Sequence, residues 1–189
     1  MVRALGLPFD PIERAGETWE QHFGPASAMR AATSVFRVQQ ILLARFDEVL
    51  RPHGLTFARY EALVLLAFSR RGALPLRVIG ERLMVHPTSV TNTVDRLEAD
   101  GLVRRRPNPR DGRGTLAEIT PAGRDVVTRS TTDLMAARFG IAGYDPVELA
   151  EIFTLLRGLR VAAGDFRPEP GAAAVTAPGT APSDGRRRR

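Results

Sequence analysis

Thr88, Ser89, Thr91 and Asn92 lie within five consecutive positions, and each carries a short side chain with a hydroxyl or an amide. Asparagine can bond adenine through two hydrogen bonds, serine and threonine hydroxyls suit several bases, and a threonine methyl fits the thymine methyl. The set is therefore suited to reading base edges. Arg96 follows one turn later, placed for phosphate or for pairing with Asp100 or Glu98. Arg104, Arg105, Arg106, Arg110 and Arg113 come next, in a stretch that also holds Asp111. A guanidinium offers phosphate a planar fork and can enter a narrow minor groove, where the negative potential deepens. Asp111 has the wrong sign for DNA, so its expected task is to hold the turn by accepting backbone or arginine bonds. Taken separately, these features are also compatible with an ordinary surface helix and a solvated basic loop.

Positioning these residues requires a helix and a hairpin. Over about 87–100, Val90, Val94 and Leu97 fall on one side of a helical pattern and Thr88, Asn92 and Ala99 on the other. Gly101 then stands where a left-handed cap is favoured. Leu102–Arg106 and Thr115–Thr120 read as two strands joined by a Pro/Asn/Gly loop. Arg104, Arg105 and Arg106 alternate faces; two are expected to meet phosphate while one packs or pairs with an acid. A short helix over about 76–83 precedes the polar one, and Ala73-Leu74-Pro75 is placed to add a rung to the hairpin.

The flanking segments are helical. Asp10-Pro11-Ile12-Glu13 and Asp145-Pro146-Val147-Glu148 both read as capped helix starts. Thr56 caps a helix to about Ser69, and Thr120-Pro121 caps one running to about Phe139. Between them, the helix over about 28–51 is apolar around most of its circumference, more than one core face uses, and a second subunit is the economical explanation. From Asp165 onward, Pro, Gly, Ala, Thr and Ser predict a disordered tail.

The 189 residues include no cysteine, which excludes disulfides, thiolate ligands and thiol redox switches. All 27 basic residues are arginine, against 21 acids. Residues 101–114 carry a net +4 and residues 165–189 a net +2, so the rest of the chain is neutral and the positive charge is local. No export signal or membrane span is read, and a cytoplasmic protein is expected. His22, His53 and His86 lack ligand spacing, and no phosphate loop, nucleophile elbow or paired-acid motif stands out. No metal, cofactor or enzymatic activity is expected.

The phrase Thr-Ser-Val-Thr-Asn-Thr-Val-Asp-Arg-Leu-Glu-Ala-Asp-Gly-Leu-Val, the Asp-Gly-Arg at 111–113 and the following Leu-Ala-Glu-Ile-Thr-Pro-Ala-Gly occur in order. Over roughly residues 28–162 the chain resembles the MarR family of bacterial transcriptional regulators. The resemblance implies a mainly α fold with a small β-wing, a winged helix-turn-helix domain and a helical dimerisation region. It places an N-terminal extension at 1–27, dimerisation helices at 28–54 and 121–163, the DNA-binding domain at 55–120 and a basic tail at 164–189. It implies a homodimer on double-stranded DNA, the helix at 87–100 in the major groove, Arg113 in the minor groove and Asp111 bracing the wing. Gly112 departs from the family, where many members carry arginine.

Trp19, Phe36, Arg37, Gln40, His53 and Tyr60 are candidates to border a pocket between the dimer helices and the DNA-binding lobe. Family members often bind small aromatic or phenolic anions there, which suits an arginine beside aromatic rings; ordinary core or helix surface is the other reading of these residues. The function expected is a ligand-responsive repressor on a pseudo-palindromic operator. An architectural DNA-binding protein without effector control, or a winged-helix protein-interaction module, stays open.

Overall fold

Side-chain caps at Asp10, Thr56, His86, Thr120 and Asp145 set where five of the helices begin. The computed structural model describes residues 6–109 and 114–167. Asp10 accepts from the Ile12 and Glu13 amides at the start of α1 (Pro11–Phe23). At α7 (Pro146–Ala162) the box is complete: Asp145 accepts from the Val147 and Glu148 amides while the Glu148 carboxylate accepts from the Asp145 amide. Thr56 caps α3 (Phe57–Phe68) and Thr120 caps α6 (Pro121–Ala136). Each cap satisfies amides that the first helical turn leaves without a partner.

The chain divides into two units, residues 1–142 and 143–189. In the first, α1 folds back on α2 (Ser27–Leu50); Arg30 lies across Gly16 and pairs with Glu20 at 2.6 Å. The core gathers around α3, where Tyr60, Ala62, Leu63 and Leu66 are buried with Leu50, Ile79, Leu97 and Leu134. Of α2, only Leu50 is buried; Val35, Phe36 and Val38 stay exposed. Val90, Val94 and Val127 join the same core, and the hairpin adds Val103, Ala117 and Ile119.

That hairpin is part of a three-stranded antiparallel sheet, in which β1 (Ala73–Pro75) and β2 (Val103–Pro107) both pair with β3 (Thr115–Ile119). Val103 faces Ile119 and Arg105 faces Ala117 toward the interior, while Arg104 lies opposite Glu118 on the outer face. Between β1 and β2, α4 (Leu76–Leu83) and α5 (Pro87–Ala99) form a helix-turn-helix whose turn places Met84 at φ 55°. Gly101, at φ +70°, closes α5 in the left-handed conformation that favours glycine.

The helix expected to reach Phe139 stops at Ala136. Arg138 and Phe139 both turn to φ 47° in a short 3-10 turn. Tertiary contacts account for the early end: Arg45 donates to the Gly140 carbonyl, and Phe139 meets Phe46 edge-on at 6.1 Å. In the second unit, taken by itself, α7 carries Ile152, Leu155, Leu156 and Leu159 along one stripe. Phe166 folds beneath Arg157 and Arg160, with guanidinium carbons 5.2 and 5.5 Å from its ring centre. The tail from 168 lies outside the described residues.

Candidate nucleic-acid interface

The buried side of α5 is Val90, Val94 and Leu97, which seat it on the core. Thr88, Ser89, Thr91, Asn92 and Arg96 are all exposed. The first turn is held by His86, whose ring Nδ1 accepts from the Thr88 amide at 3.2 Å and lies 3.1 Å from the Thr88 hydroxyl. Thr91 donates its hydroxyl to the Pro87 carbonyl at 3.1 Å. Thr88 and Thr91 thus have local partners, and a hydroxyl that gives its proton to such a partner keeps two lone pairs that can still accept. Ser89 and Asn92 make no side-chain hydrogen bond among the described residues, which leaves their full donor and acceptor capacity to an incoming ligand.

Arg96 pairs with neither Asp100 nor Glu98. Asp100 is held by Arg59 at 2.8 Å, and Glu98 by Arg105 at 2.6 Å. Arg96 instead borders an open groove of about 570 Å³, lined also by Thr56, Arg59, Asn92, Thr93 and Asp95.

All three strand arginines pair with acids, where only one was expected to. Arg105 turns inward: Asp95 and Glu98 of α5 each hold its guanidinium at 2.6 Å, and Glu98 also accepts the Arg105 backbone amide at 2.9 Å. Those bonds, the backbone amide foremost, hold the Glu98 carboxyl below its usual range. On the outer face Arg104 grips Glu118 through two nitrogens, at 3.0 and 2.9 Å, and Arg106 reaches the same carboxylate at 2.9 Å. The two guanidiniums draw the Glu118 carboxyl down to about 2. A carboxyl lowered in the folded state adds stability above its ordinary range, and the gain is lost as pH falls from about 4.5 toward 2. Arg110, Asp111 and Arg113, expected at the wing tip, lie outside the described residues.

His86, Asp95, Glu98 and Glu118 are the functional candidates that sequence reasoning missed. Glu118 was within reach of it, because the hairpin register alone sets that residue opposite Arg104.

The six residues proposed for a ligand pocket divide into separate groups. Trp19 meets Phe23 on α1 at a tilt of 53°, with ring centres 4.9 Å apart. Phe36 is exposed on α2, where Arg37 bonds Gln40 at 3.2 Å. His53 pairs with Asp133 at 2.7 Å, and the buried Tyr60 shares a 2.9 Å hydrogen bond with Thr131, so these two contact α6. Among the described residues, no hydrogen bond or ring contact joins one group to another.

Three helices, a turn between the second and third, and a β-ribbon after the third make a winged helix-turn-helix. A profile of the MarR family matches residues 53–114. The crystal structure of Sco5413, a MarR family transcriptional regulator from Streptomyces coelicolor, is 64% identical and superposes with a TM-score of 0.70, covering 75% of this chain and 98% of that one. The HTH-type transcriptional regulator MhqR of Bacillus subtilis is 36% identical over 74 residues, which are 39% of this chain and half the length of MhqR. Sco3205 of Streptomyces coelicolor, a MarR family regulator solved in complex with DNA, shares the fold at 24% identity and a TM-score of 0.64, over 76% of this chain and 91% of that one. This chain belongs to the MarR family of DNA-binding transcriptional regulators. Among its described residues, no helix is long and apolar enough to cross a membrane.

Proposed function

We propose that the protein is a cytoplasmic, non-enzymatic repressor that binds a pseudo-palindromic operator as a homodimer and is released by a small aromatic or phenolic effector. The observation that carries the DNA reading is the exposed side of α5: small side chains over its first two turns, with the Ser89 and Asn92 side chains making no hydrogen bond among the described residues, beside a basic ribbon. Ser89 and Asn92 are the principal base readers, Thr88 and Thr91 contribute methyls, and Arg96 takes a phosphate at the groove edge. Arg110 and Arg113 extend the contact toward the minor groove, with Asp111 bracing them. Dimerisation draws on the exposed apolar residues of α2 and, separately, on the stripe of α7. Two reading helices related by a two-fold axis require half-sites about 10 bp apart.

Selection of bound duplexes from a random pool tests this reading. A symmetric consensus is expected, with Asn92→Ala lowering affinity for it by roughly 10- to 100-fold, since each good base contact contributes about 1–3 kcal/mol of discrimination. A pool without any consensus would favour an architectural DNA-binding protein. Unchanged chief activity in a chain with both Asn92→Ala and Arg113→Ala would favour a protein-interaction module. For the effector, aromatic carboxylates and phenols are screened for a raised thermal midpoint together with release of the selected duplex. Because Trp19, Phe36, Arg37, Gln40, His53 and Tyr60 sit in separate groups within one subunit, a pocket built from them is completed by the partner.

A further inference from the structure

The outer face of the wing poses a question that base reading by α5 leaves unanswered. Arg104 and Arg106 are the outward arginines of β2, where phosphate contact is expected, yet both are bound to an acid of the neighbouring strand. Glu118 lies directly across from Arg104, and Arg106 is two residues along on the same face. Both carboxylate oxygens are used: one takes Arg104 Nη2, the other Arg104 Nε and Arg106 Nη1. The acid lies beneath the bases: its side chain is 18% exposed, against 60% and 57% for the two arginines. Two guanidiniums therefore face solvent over one recessed negative charge, in the fork geometry that phosphate would otherwise occupy.

We propose that Glu118 limits the sequence-independent affinity of the DNA-binding surface, holding Arg104 and Arg106 and cancelling part of their charge so that backbone contact alone holds the protein weakly. Non-specific affinity for duplex DNA comes almost entirely from phosphates neutralised by Lys and Arg. A carboxylate that competes for those arginines lowers that affinity on every sequence. Base contacts by α5 are unaffected, so at a given salt concentration stable occupancy comes to depend on them. The carboxyl titrates at about 2, so the competitor is fully charged at neutral pH. This inference rests on the proposed role of the wing beside DNA.

The test uses the full chain and a fluorescein-labelled random-sequence duplex, followed by anisotropy over a salt series. Glu118→Gln is expected to tighten binding roughly three- to tenfold at low salt and to steepen the plot of log affinity against log salt by about one to two per subunit, near 0.9 for each phosphate gained. Arg104→Gln and Arg106→Gln added to Glu118→Gln are expected to abolish both effects. Unchanged or weaker binding by a folded Glu118→Gln chain overturns the proposal; weaker binding means that the carboxylate orients the arginines for DNA. Should Glu118→Gln not fold, Arg104→Gln with Arg106→Gln on the wild-type Glu118 decides. The salt slope is expected to stay nearly unchanged, and a loss of about two per subunit overturns the clamp. If wild type and variants all bind no duplex at low salt, the DNA reading itself falls and the clamp falls with it. A change confined to the wild-type against Glu118→Gln comparison bears on the clamp alone.

Discussion

Arg105 separates a phosphate ligand from a structural strut more sharply than any other residue. Its neighbours in sequence point outward, while it reaches two acids of α5 and gives its own amide to one of them. Three charge-assisted bonds across one junction fix the angle between the ribbon and α5, the helix proposed to face DNA. A strut and a phosphate contact differ in salt dependence, since only the contact releases counterions. Arg105→Gln is therefore expected to weaken binding to the selected symmetric duplex several-fold while leaving the slope of log affinity against log salt unchanged. Anisotropy titrations at several salt concentrations check this, and a slope shallower by about 0.9 would return Arg105 to the phosphate contacts. The sequence could place the three arginines on alternating faces. Which acids Arg105 meets was not legible there, because Asp95 and Glu98 reach β2 only once α5 has docked.

At the scale of elements, what the sequence made readable was local. The caps at Asp10, Thr56, Thr120 and Asp145 were legible because a cap is decided within one helical turn. The two sides of α5 were legible because periodicity needs only the helix itself. The end of α6 was not, since Arg45 and Phe46 of a distant helix decide it. Whether the six residues named for a ligand pocket converge is not a local matter either, because aromatic and polar types in sequence carry no information about their spacing in the fold. Gly123 joins the local and the distant. Thr120 caps α6 through the Gly123 amide at 3.0 Å, and a Cβ at Gly123 would run into the Leu102 carbonyl oxygen and lie 2.8 Å from Ile119 Cγ1. The Thr-x-x-Gly phrase is thus a cap combined with a close approach of α6 to the start of the wing. Gly123→Ala is expected to cost about 1–3 kcal/mol as overpacking. Differential scanning calorimetry should show the thermal midpoint falling by about 2–4 °C for each kcal/mol. An unchanged midpoint would mean that the wing yields without cost.

The whole molecule combines a neutral body, a concentrated basic segment and apolar helix surfaces that a lone protomer leaves wet. Val35, Phe36 and Val38 on α2 are exposed, and on α7 Leu155 and Leu159 are 70% and 63% exposed. Burying one such side chain is favourable by about 1.5–3 kcal/mol, so a few of them per subunit offset much of the entropic cost of association. A short helix is only marginally stable in water on its own, and α7, with 17 residues and a full capping box, still needs a surface for its stripe. In the proposed homodimer a second copy of the chain supplies that surface symmetrically and brings two α5 helices to one duplex. Leu155→Glu combined with Leu159→Glu places carboxylates on the stripe, where burial would demand costly desolvation. The variant is expected to run as a monomer in size-exclusion chromatography with light scattering, and the wild type to run as a dimer at the same concentrations. Its affinity for the symmetric duplex should fall by 100-fold or more, roughly the loss of one half-site's phosphate and base contacts. Binding to a single half-site should change little, because α5 and the wing are untouched. A variant that stays dimeric, or one that binds the symmetric duplex as the wild type does, would show that α7 is not the surface on which the two subunits meet.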